Sequence, residues 1–208
     1  MEEAIDAYIS RHIDEEGDYL HALYRDTNIR LLRPRMASGH LQGRLLKMLV
    51  RMIRPRNIVE IGTYSGYSAL SMAEGLEEGS MLYTFEINDE QEDFTRPWIE
   101  GSAYADKIRF CIGDALELIP RMSLTFEMAF VDGDKRKYTD YYDMLLPRLP
   151  HGGYIIADNT LWDGHVLEES HDRQTTGIQA FNDRVAADDR VEKVILPIRD
   201  GLTLIRKK

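Results

Sequence analysis

The sequence lacks the features of an exported or membrane-spanning protein. Its single cysteine, Cys111, can form neither an intrachain disulfide nor a cysteine-based zinc cluster. The first twenty residues carry acids where a signal peptide has basic residues followed by an apolar run, and no later segment approaches the length of a membrane span. We therefore expect a protein of the reducing cytoplasm that has no membrane partner.

Positive charge is also scarce, because the formal net charge is -10. Such a surface repels polyanions, which argues against nucleic acid and anionic membranes as main partners. The chain has no internal repeat and no linker-like stretch rich in Gly, Pro or Ser. With 208 residues, 43% of them hydrophobic, we expect a single domain over residues 1–208 that combines a helical part (1–54) with a core of strands and helices (55–208).

A helix is predicted immediately before Pro55. Its buried face should consist of apolar residues that recur at three- and four-residue intervals, namely Leu41, Leu45, Leu46, Leu49, Met52 and Ile53. Pro55 should end this helix, since proline has no backbone N–H to continue the hydrogen bonding.

After Pro55, strand-like and helix-like segments alternate. The segments "NIVEI", "MLYTFEI", "IRFCI", "FEMAFV" and "GGYIIA" predict five strands, with helices at roughly 65–76, 89–101, 114–121 and 135–149. This alternation predicts a Rossmann-like doubly wound sheet with parallel strands and helices on both faces. Two last segments, "VEKVILPI" and "LTLIRKK", are separated only by "RDG", so they should form an antiparallel hairpin at one edge. We predict an α/β fold with a mostly parallel seven-stranded sheet and extra N-terminal helices.

Acidic residues lie at or just after the carboxyl end of every predicted parallel strand, where such sheets bind their ligands. They are Glu60, Glu86, Asp114, Asp132 and Asp158. A single acid there is most simply a turn or helix-capping residue. Five on one rim repel one another, which favours cations bound among them.

The turn after the first strand differs from a dinucleotide-binding turn. Its pattern is Glu60-x-Gly62-x-x-x-Gly66, whereas a pyrophosphate requires Gly-x-Gly-x-x-Gly. Glu60 would repel a diphosphate and favour a positively charged ligand, and Glu86 can bind the hydroxyls of a ribose. These features favour S-adenosylmethionine, and an NAD-dependent oxidoreductase on the same fold is a less favoured alternative.

A metal site is predicted at the next two strand ends. Asp132, Asp158 and Asn159 offer two carboxylates and an amide oxygen, a ligand set suited to a hard cation such as Mg²⁺. Histidine and thiolate ligands are missing from both segments, which argues against zinc. For the pair Asp158-Asn159 alone, an Asx turn that leaves the strand is an equally good interpretation.

Together these motifs resemble the cation-dependent class I S-adenosylmethionine O-methyltransferases of the catechol and caffeoyl-CoA type, including small bacterial members. The matching segments occur in the family's order: "MASGHLQGRLLKML", "VEIGTYSGYSAL", "FEIN", "GDALELIP", "FVDGDKRKY", "ADNTLWDG" and "LPIRDGLTL". The resemblance implies a metal (Mg²⁺, or alternatively Mn²⁺ or Ca²⁺) at Asp132, Asp158 and Asn159, a catalytic base at Lys135, and a homodimer with contacts from the N-terminal helices. It also implies contacts to S-adenosylmethionine from Met36, Ser38, Glu60, Gly62, Thr63, Ser68, Glu86, Asp114, Ala115 and Asp134.

The sequence indicates fewer candidate residues for contact with the substrate. Trp162 is a candidate wall for an aromatic substrate, although packing is an equally good role for a tryptophan. Asp163 stands where family members carry a substrate-contacting asparagine. This carboxylate and the acidic surface both disfavour a bulky anionic acyl-CoA, so we expect a small catechol or another vicinal-dihydroxy aromatic.

Two other functions stay open at this point. A few small bacterial relatives methylate hydroxylated uridine in tRNA, and "RLLRPRM" and "DKRK" are the basic segments that such a substrate could contact. The second alternative is a non-catalytic binding protein.

The tyrosines of "KYTDYYDMLL" occur at helical spacing, which favours core packing over ligand binding.

Overall fold

The computed structural model of the protein describes residues 2–169 and 172–208. The α-helices are Glu2–Ser10 (α1), Asp18–Arg30 (α2), Gly39–Ile53 (α3), Tyr67–Ala73 (α4), Glu92–Glu100 (α5), Ala115–Leu118 (α6), Tyr138–Leu145 (α7) and Arg173–Ala186 (α8). The strands are Asn57–Ile61 (β1), Met81–Glu86 (β2), Ile108–Ile112 (β3), Met128–Val131 (β4), Tyr154–Asp158 (β5), Val191–Leu196 (β6) and Leu202–Lys207 (β7). Short 3-10 helices cover Pro34–Met36, Asp89–Gln91, Ala105–Lys107, Ile119–Arg121, Lys135–Lys137, Leu146–Arg148 and Trp162–Leu167.

The seven strands form one sheet in the order β3-β2-β1-β4-β5-β7-β6. Strands β1 to β5 pair in parallel. The hairpin of β6 and β7 is antiparallel, and β7 pairs with β5, so the hairpin extends one edge of the sheet. The predicted α/β fold is confirmed.

Helices cover both faces of the sheet because successive strand residues point to opposite sides. In β1, Val59 packs in a cluster with residues of α7 and α8, whereas Ile58 packs in a second cluster with residues of α3, α4 and α5. Both side chains are buried. The continuous apolar character of β1 follows from this burial on two faces.

The helix before Pro55 ends where predicted, and one residue of its predicted buried face is exposed. It ends at Ile53, after which Arg54 adopts a left-handed backbone conformation with φ 54°. Met52, predicted to be buried, is 72% exposed, so that prediction was wrong. The centre of the buried face runs through Gln42, Leu46 and Val50, which follow one another at intervals of four residues; of these, Leu46 was predicted.

Several predicted helices are shorter than expected. The segment predicted as one helix over 135–149 consists of α7 with a 3-10 turn at each end. Its tyrosines Tyr138, Tyr141 and Tyr142 are buried, as the spacing predicted. None of the described helices combines the length and the apolar character needed to cross a bilayer.

The predicted site lies where the carboxyl ends of two central strands meet. β1 and β4 are neighbours, and the chain leaves them toward opposite sides, which makes their carboxyl ends a topological switch point. There Gly62 has φ 97°, and a Cβ at this position would collide with the backbone carbonyl of Asp132. Glycine is therefore required for the ends of β1 and β4 to approach each other this closely.

Candidate functional site

A cavity of about 470 Å³ opens at the carboxyl ends of the parallel strands. Its size lies within the range of small-molecule sites, roughly 300–1,000 Å³. Of the predicted site residues, the following line it: Met36, Gly62, Glu86, Asp114, Ala115, Asp132, Asp134, Lys135, Asp158, Asn159 and Trp162.

The three predicted metal ligands lie together on one wall of this cavity. Asp132 directly follows β4, Asp158 ends the neighbouring β5, and Asn159 follows with φ 55°. The side-chain amide nitrogen of Asn159 donates to Asp200 Oδ2 at 3.3 Å, which leaves its Oδ1 free to act as a ligand. The oxygen-only donor set therefore fits a hard divalent cation.

Among the proposed metal ligands, Asp158 is in the environment least favourable to a negative charge. It is 2% exposed, and burial, with the nearby charge of Asp132 as the second cause, raises its pKa to about 6. A cation beside the two carboxylates would remove their mutual repulsion. Within the described residues, no group of three or more His, Cys, Asp or Glu side chains could hold a metal ion, so the predicted site depends on the amide of Asn159 as its third ligand.

Lys135 lies beside these carboxylates in a buried position. Its Nζ donates to Asp132 Oδ1 and to Tyr138 Oη, each at 2.7 Å. Tyr138 in turn donates to the backbone oxygens of Val131 at 3.2 Å and Asp158 at 3.0 Å. Burial raises the pKa of Tyr138 well above its usual value, so the phenol stays neutral and the amine is held between two fixed acceptors.

The two predicted substrate residues separate in the structure. Trp162 is half-buried and lines the cavity, with its ring centroid 5.9 Å from Lys135 Nζ. Asp163 is exposed and lines a smaller neighbouring cavity together with Asp200. Burial, followed by the hydrogen bond with Asp163, raises the pKa of Asp200, because the two carboxyl groups meet there.

The predicted S-adenosylmethionine residues fall into two groups. Met36, Gly62, Glu86, Asp114, Ala115 and Asp134 line the cavity. Glu86 accepts from the backbone N–H groups of Tyr64 at 2.8 Å and Asn88 at 2.9 Å, so its carboxylate is held at the end of β2. The hydrogen bond from Lys137 lowers the pKa of Asp114, and that from Arg136 lowers the pKa of Asp134.

The second group, Ser38, Glu60, Thr63 and Ser68, is buried outside the cavity lining. Glu60 is fully buried and accepts from Ser68 Oγ at 2.5 Å, while its Oε2 has no hydrogen-bond partner. Burial raises the pKa of Glu60 to about 8. The expected contacts of these four residues with S-adenosylmethionine stay predictions.

Among the site residues that were not predicted from the sequence, three form hydrogen bonds with the proposed metal ligands or with one another. Gln42 donates to Asp158 Oδ2 at 2.5 Å, Arg199 donates to Gln42 Oε1 at 3.1 Å, and Asp200 accepts from Asn159. A polar residue on the buried face of α3 was the available signal for Gln42. Arg199 and Asp200 come from the tight turn between β6 and β7, where such residues are ordinary.

The cavity is lined by basic as well as acidic side chains. Arg33, Arg35, Arg136 and Arg199 all line it. Arg136 is paired with Asp134, whereas Arg33 and Arg35 are exposed and have no salt bridge within residues 2–169 and 172–208. The expectation that the acidic character disfavours anionic acceptors stays a prediction, since acidic residues also line the cavity.

Known proteins resemble this chain in sequence and in fold. The sequence model of the O-methyltransferase family matches residues 10–208. A caffeoyl-CoA O-methyltransferase from Petroselinum crispum is 35% identical over 185 residues, which cover 83% of this chain and 77% of that protein. An O-methyltransferase from Bacillus cereus, solved in complex with SAH, superposes with a TM-score of 0.91 at 29% identity, covering 99% of this chain and 97% of its own. The O-methyltransferase TomG from Streptomyces achromogenes, involved in tomaymycin synthesis and solved with SAM, gives 0.90 at 25% identity, covering 99% and 96%.

Proposed function

Since this chain belongs to the O-methyltransferase family and is an S-adenosylmethionine-dependent enzyme, we propose that it methylates one hydroxyl of a small vicinal-dihydroxy aromatic with a bound divalent cation. The observation that carries this proposal is the meeting of Asp132, Asp158 and Asn159 with Lys135 on one cavity wall. Family membership leaves the NAD-dependent oxidoreductase and the non-catalytic binding protein without support.

The proposed ligands are two carboxylates and one amide oxygen. A divalent cation bound there would lower the pKa of an acceptor hydroxyl and hold the two neighbouring oxygens of a catechol. Asp132 and Asp158 supply the negative charge, and the bond from Asn159 to Asp200 keeps the amide oxygen available. Mg²⁺ is the proposed metal, with Mn²⁺ and Ca²⁺ as alternatives.

Lys135 is the proposed base. A neutral amine has two N–H bonds and one lone pair, so Lys135 can keep its contacts with Asp132 and Tyr138 while the lone pair accepts the hydroxyl proton. The acceptor oxygen then forms a bond to the methyl carbon, and the sulfonium keeps the electron pair of the broken bond and becomes a neutral thioether. Trp162 lines the same wall, which supports its proposed role beside the substrate ring.

The methyl donor would occupy the part of the cavity near β1, β2 and β3. Gly62, Glu86, Asp114 and Ala115 line that part, and Glu86 is the proposed ligand of the ribose hydroxyls. Holding donor and acceptor in line supplies roughly 7–11 kcal/mol of the barrier reduction in well-oriented reactions.

The proposal is tested with a panel of acceptors. Purified protein is incubated with labelled S-adenosylmethionine and free catechols, caffeoyl-CoA or hydroxylated nucleosides, with and without a chelator. We expect methylation of small catechols that stops on chelation and returns with Mg²⁺. Turnover that is insensitive to the chelator would contradict the proposed metal ligands, and a strong preference for caffeoyl-CoA would contradict the proposed acceptor.

A hydroxylated uridine of tRNA is the second candidate acceptor. Arg33 and Arg35 favour it, because both line the cavity mouth and are without an acidic partner in the described part of the chain. Guanidinium groups in such positions bind phosphate. Mass spectrometry of tRNA nucleosides from a deletion strain tests this candidate, since loss of a methylated uridine would establish it in place of the catechol.

We also propose that the enzyme is a cytoplasmic homodimer. The N-terminal helices expose apolar side chains, among them Ile5 and Tyr8 on α1 and Met48 and Met52 on α3. Large exposed apolar residues that cluster on neighbouring helices are typical of subunit interfaces.

A further inference from the structure

Gln42 connects α3 to the proposed metal site. It is 1% exposed, and its Nε2 donates to Asp158 Oδ2 at 2.5 Å, although the two residues are 116 positions apart in the chain. The other carboxylate oxygen, Asp158 Oδ1, accepts from the backbone N–H of Asn159 at 2.8 Å. Each oxygen of Asp158 therefore has one fixed donor, and Gln42 is the side chain that sets the orientation of Oδ2.

The orientation of the Gln42 amide is itself determined by Arg199. A guanidinium can only donate hydrogen bonds, so the atom of Gln42 that faces Arg199 Nη1 at 3.1 Å must be the amide oxygen. The amide nitrogen must then face Asp158. If the amide were turned over, its oxygen would lie against a carboxylate oxygen and its nitrogen against a guanidinium, and both contacts would be repulsive.

Arg199 is held in place by further contacts with the N-terminal part of the chain. It lies in the turn between β6 and β7 with φ 50°, and its guanidinium also donates to the backbone oxygens of Ser38 and, at 3.3 Å, Arg35. This places the Gln42 amide between a fixed cation and a buried carboxylate, which gives it a single orientation.

We infer that Gln42 and Arg199 are positioning residues that act in series: Arg199 orients the Gln42 amide, and Gln42 orients the Asp158 carboxylate for metal binding. The inference rests on the proposed function, because that proposal makes Asp158 a metal ligand. Residues that hydrogen-bond to metal ligands typically change metal affinity by about 10- to 100-fold when mutated.

The two substitutions have different expected effects. Gln42→Leu keeps the size of the side chain and removes both polar contacts, so Mn²⁺ affinity should fall by about tenfold or more. Arg199→Met should also weaken Mn²⁺ binding, by a smaller factor, because the Gln42 amide is retained but no longer held. Removal of a positive charge alone would strengthen cation binding, so the sign of this change separates positioning from simple electrostatics.

The test measures Mn²⁺ binding to the metal-free full-length protein by electron paramagnetic resonance of free Mn²⁺. Asp132→Asn serves as the variant that removes a proposed ligand. Gln91→Leu is the control for the same chemical change, since Gln91 is partly buried and lies outside the cavity lining. Thermal unfolding and affinity for S-adenosylhomocysteine verify that each variant is folded. Arg199 is exposed, so Arg199→Met keeps the inference testable should Gln42→Leu fail to fold.

The double variant Gln42→Leu/Arg199→Met tests the serial arrangement. Because the hydrogen bonds of Arg199 reach Asp158 through Gln42, the double variant should bind Mn²⁺ no more weakly than Gln42→Leu. If the fold-decrease in Mn²⁺ affinity of the double variant equals the product of the two single decreases, the residues act independently. The proposed serial arrangement would then be wrong.

The outcomes distinguish the inference from the function on which it rests. If Asp132→Asn loses Mn²⁺ affinity while Gln42→Leu stays within about twofold of the wild type, the inference is wrong and the metal site stands. If Asp132→Asn binds Mn²⁺ as the wild type does, the proposed metal site is wrong and the inference falls with it.

Discussion

At the scale of single residues, the amine of Lys135 is the group whose position most directly predicts a kinetic effect. Lys135→Met keeps much of the side-chain volume and removes the nitrogen that contacts Asp132 and Tyr138. General acid–base catalysis typically contributes about 10²- to 10⁴-fold, so we expect a decrease of kcat in that range with little change in S-adenosylhomocysteine affinity. Steady-state kinetics and calorimetry measure the two quantities.

A matched lysine substitution separates this effect from a general loss of charge. Lys193→Met removes an amine that contacts a backbone oxygen outside the cavity lining, and it should leave kcat unchanged. Turnover of Lys135→Met within a factor of about three of the wild type would contradict a role for Lys135 as base.

Glu60 predicts a pH dependence of stability. Burial raises its pKa from the ordinary 4.5 to about 8, so the folded protein retains a proton that the unfolded chain releases above pH 4.5. The free energy of unfolding should therefore fall as pH rises through this window, by on the order of 1 kcal/mol per pH unit, and level off above about pH 8.

The variant Glu60→Gln isolates this contribution, since glutamine has a similar shape and does not titrate. Between about pH 6 and pH 8 the unfolding free energy of the wild type should fall because of Glu60, whereas that of the variant should not. The variant should therefore gain stability relative to the wild type over this range. Denaturant unfolding at several pH values measures it. Parallel curves for the two proteins would show that Glu60 is ionised in the folded state.

The residues that support the site from a distance could not be predicted from the sequence. Asp132 and Asp158 were predictable because parallel strands place their carboxyl ends together. Gln42 reaches Asp158 from a helix far away in the chain, and nothing local marks it except its polarity on a buried face. Its partner Arg199 follows from the tertiary packing of the hairpin against the segment that precedes α3.

At the scale of elements, α8 determines the position of the turn that carries Lys135. A Cβ on Gly177 would lie 2.5 Å from the backbone oxygen of Lys135 and 2.8 Å from the Cα of Arg136. Gly177→Ala must therefore push this turn away from α8. Because a displacement of about 1 Å can cost about 100-fold in rate, we expect kcat to fall by tenfold or more.

The matched substitution in the same helix is Thr176→Ala, at an exposed neighbouring position. It should change kcat little, and circular dichroism should show intact helices for both variants. Wild-type kinetics in Gly177→Ala would mean that the turn tolerates the added methyl group, and would contradict a close fit between α8 and the site.

Strands were predicted more accurately than helices, for physical reasons. β1 and β3 have the predicted bounds, because both are short apolar segments between clear breaks. The segments expected as single helices over 114–121 and 135–149 instead combine α-helical and 3-10 turns. Pro120 and Pro147 lie at the start of 3-10 turns, where a proline removes a hydrogen bond that a continuing α-helix would need.

At the scale of the whole molecule, the exposed apolar residues of α1 and α3 predict the oligomeric state. Met48 and Met52 are 57% and 72% exposed. Exposed apolar surface is unfavourable in a monomer, and its burial in an interface stabilises a dimer. We expect a dimer for the wild type and a monomer for Met48→Asp, because the substitution places a charge in the proposed interface. Multi-angle light scattering measures both masses. A monomeric wild type would contradict the proposal.

The net charge of -10 describes the molecule as a whole and does not show that acidic and basic side chains both line the cavity. The net charge alone could not indicate that Arg33 and Arg35 line the cavity, although the basic segment that contains both was a predicted substrate contact. Selectivity among neutral and anionic acceptors therefore depends on where charges lie in the fold.

The position of β7 has a consequence for synthesis of the chain. β7 follows β6 in the chain, yet it inserts between β5 and β6, and the turn before it supplies Arg199 and Asp200. Until residues 199–207 emerge, one edge of β5 has no partner and the cavity has no complete wall. We therefore expect chains that stop before the hairpin is complete to be inactive and prone to aggregate at that open edge.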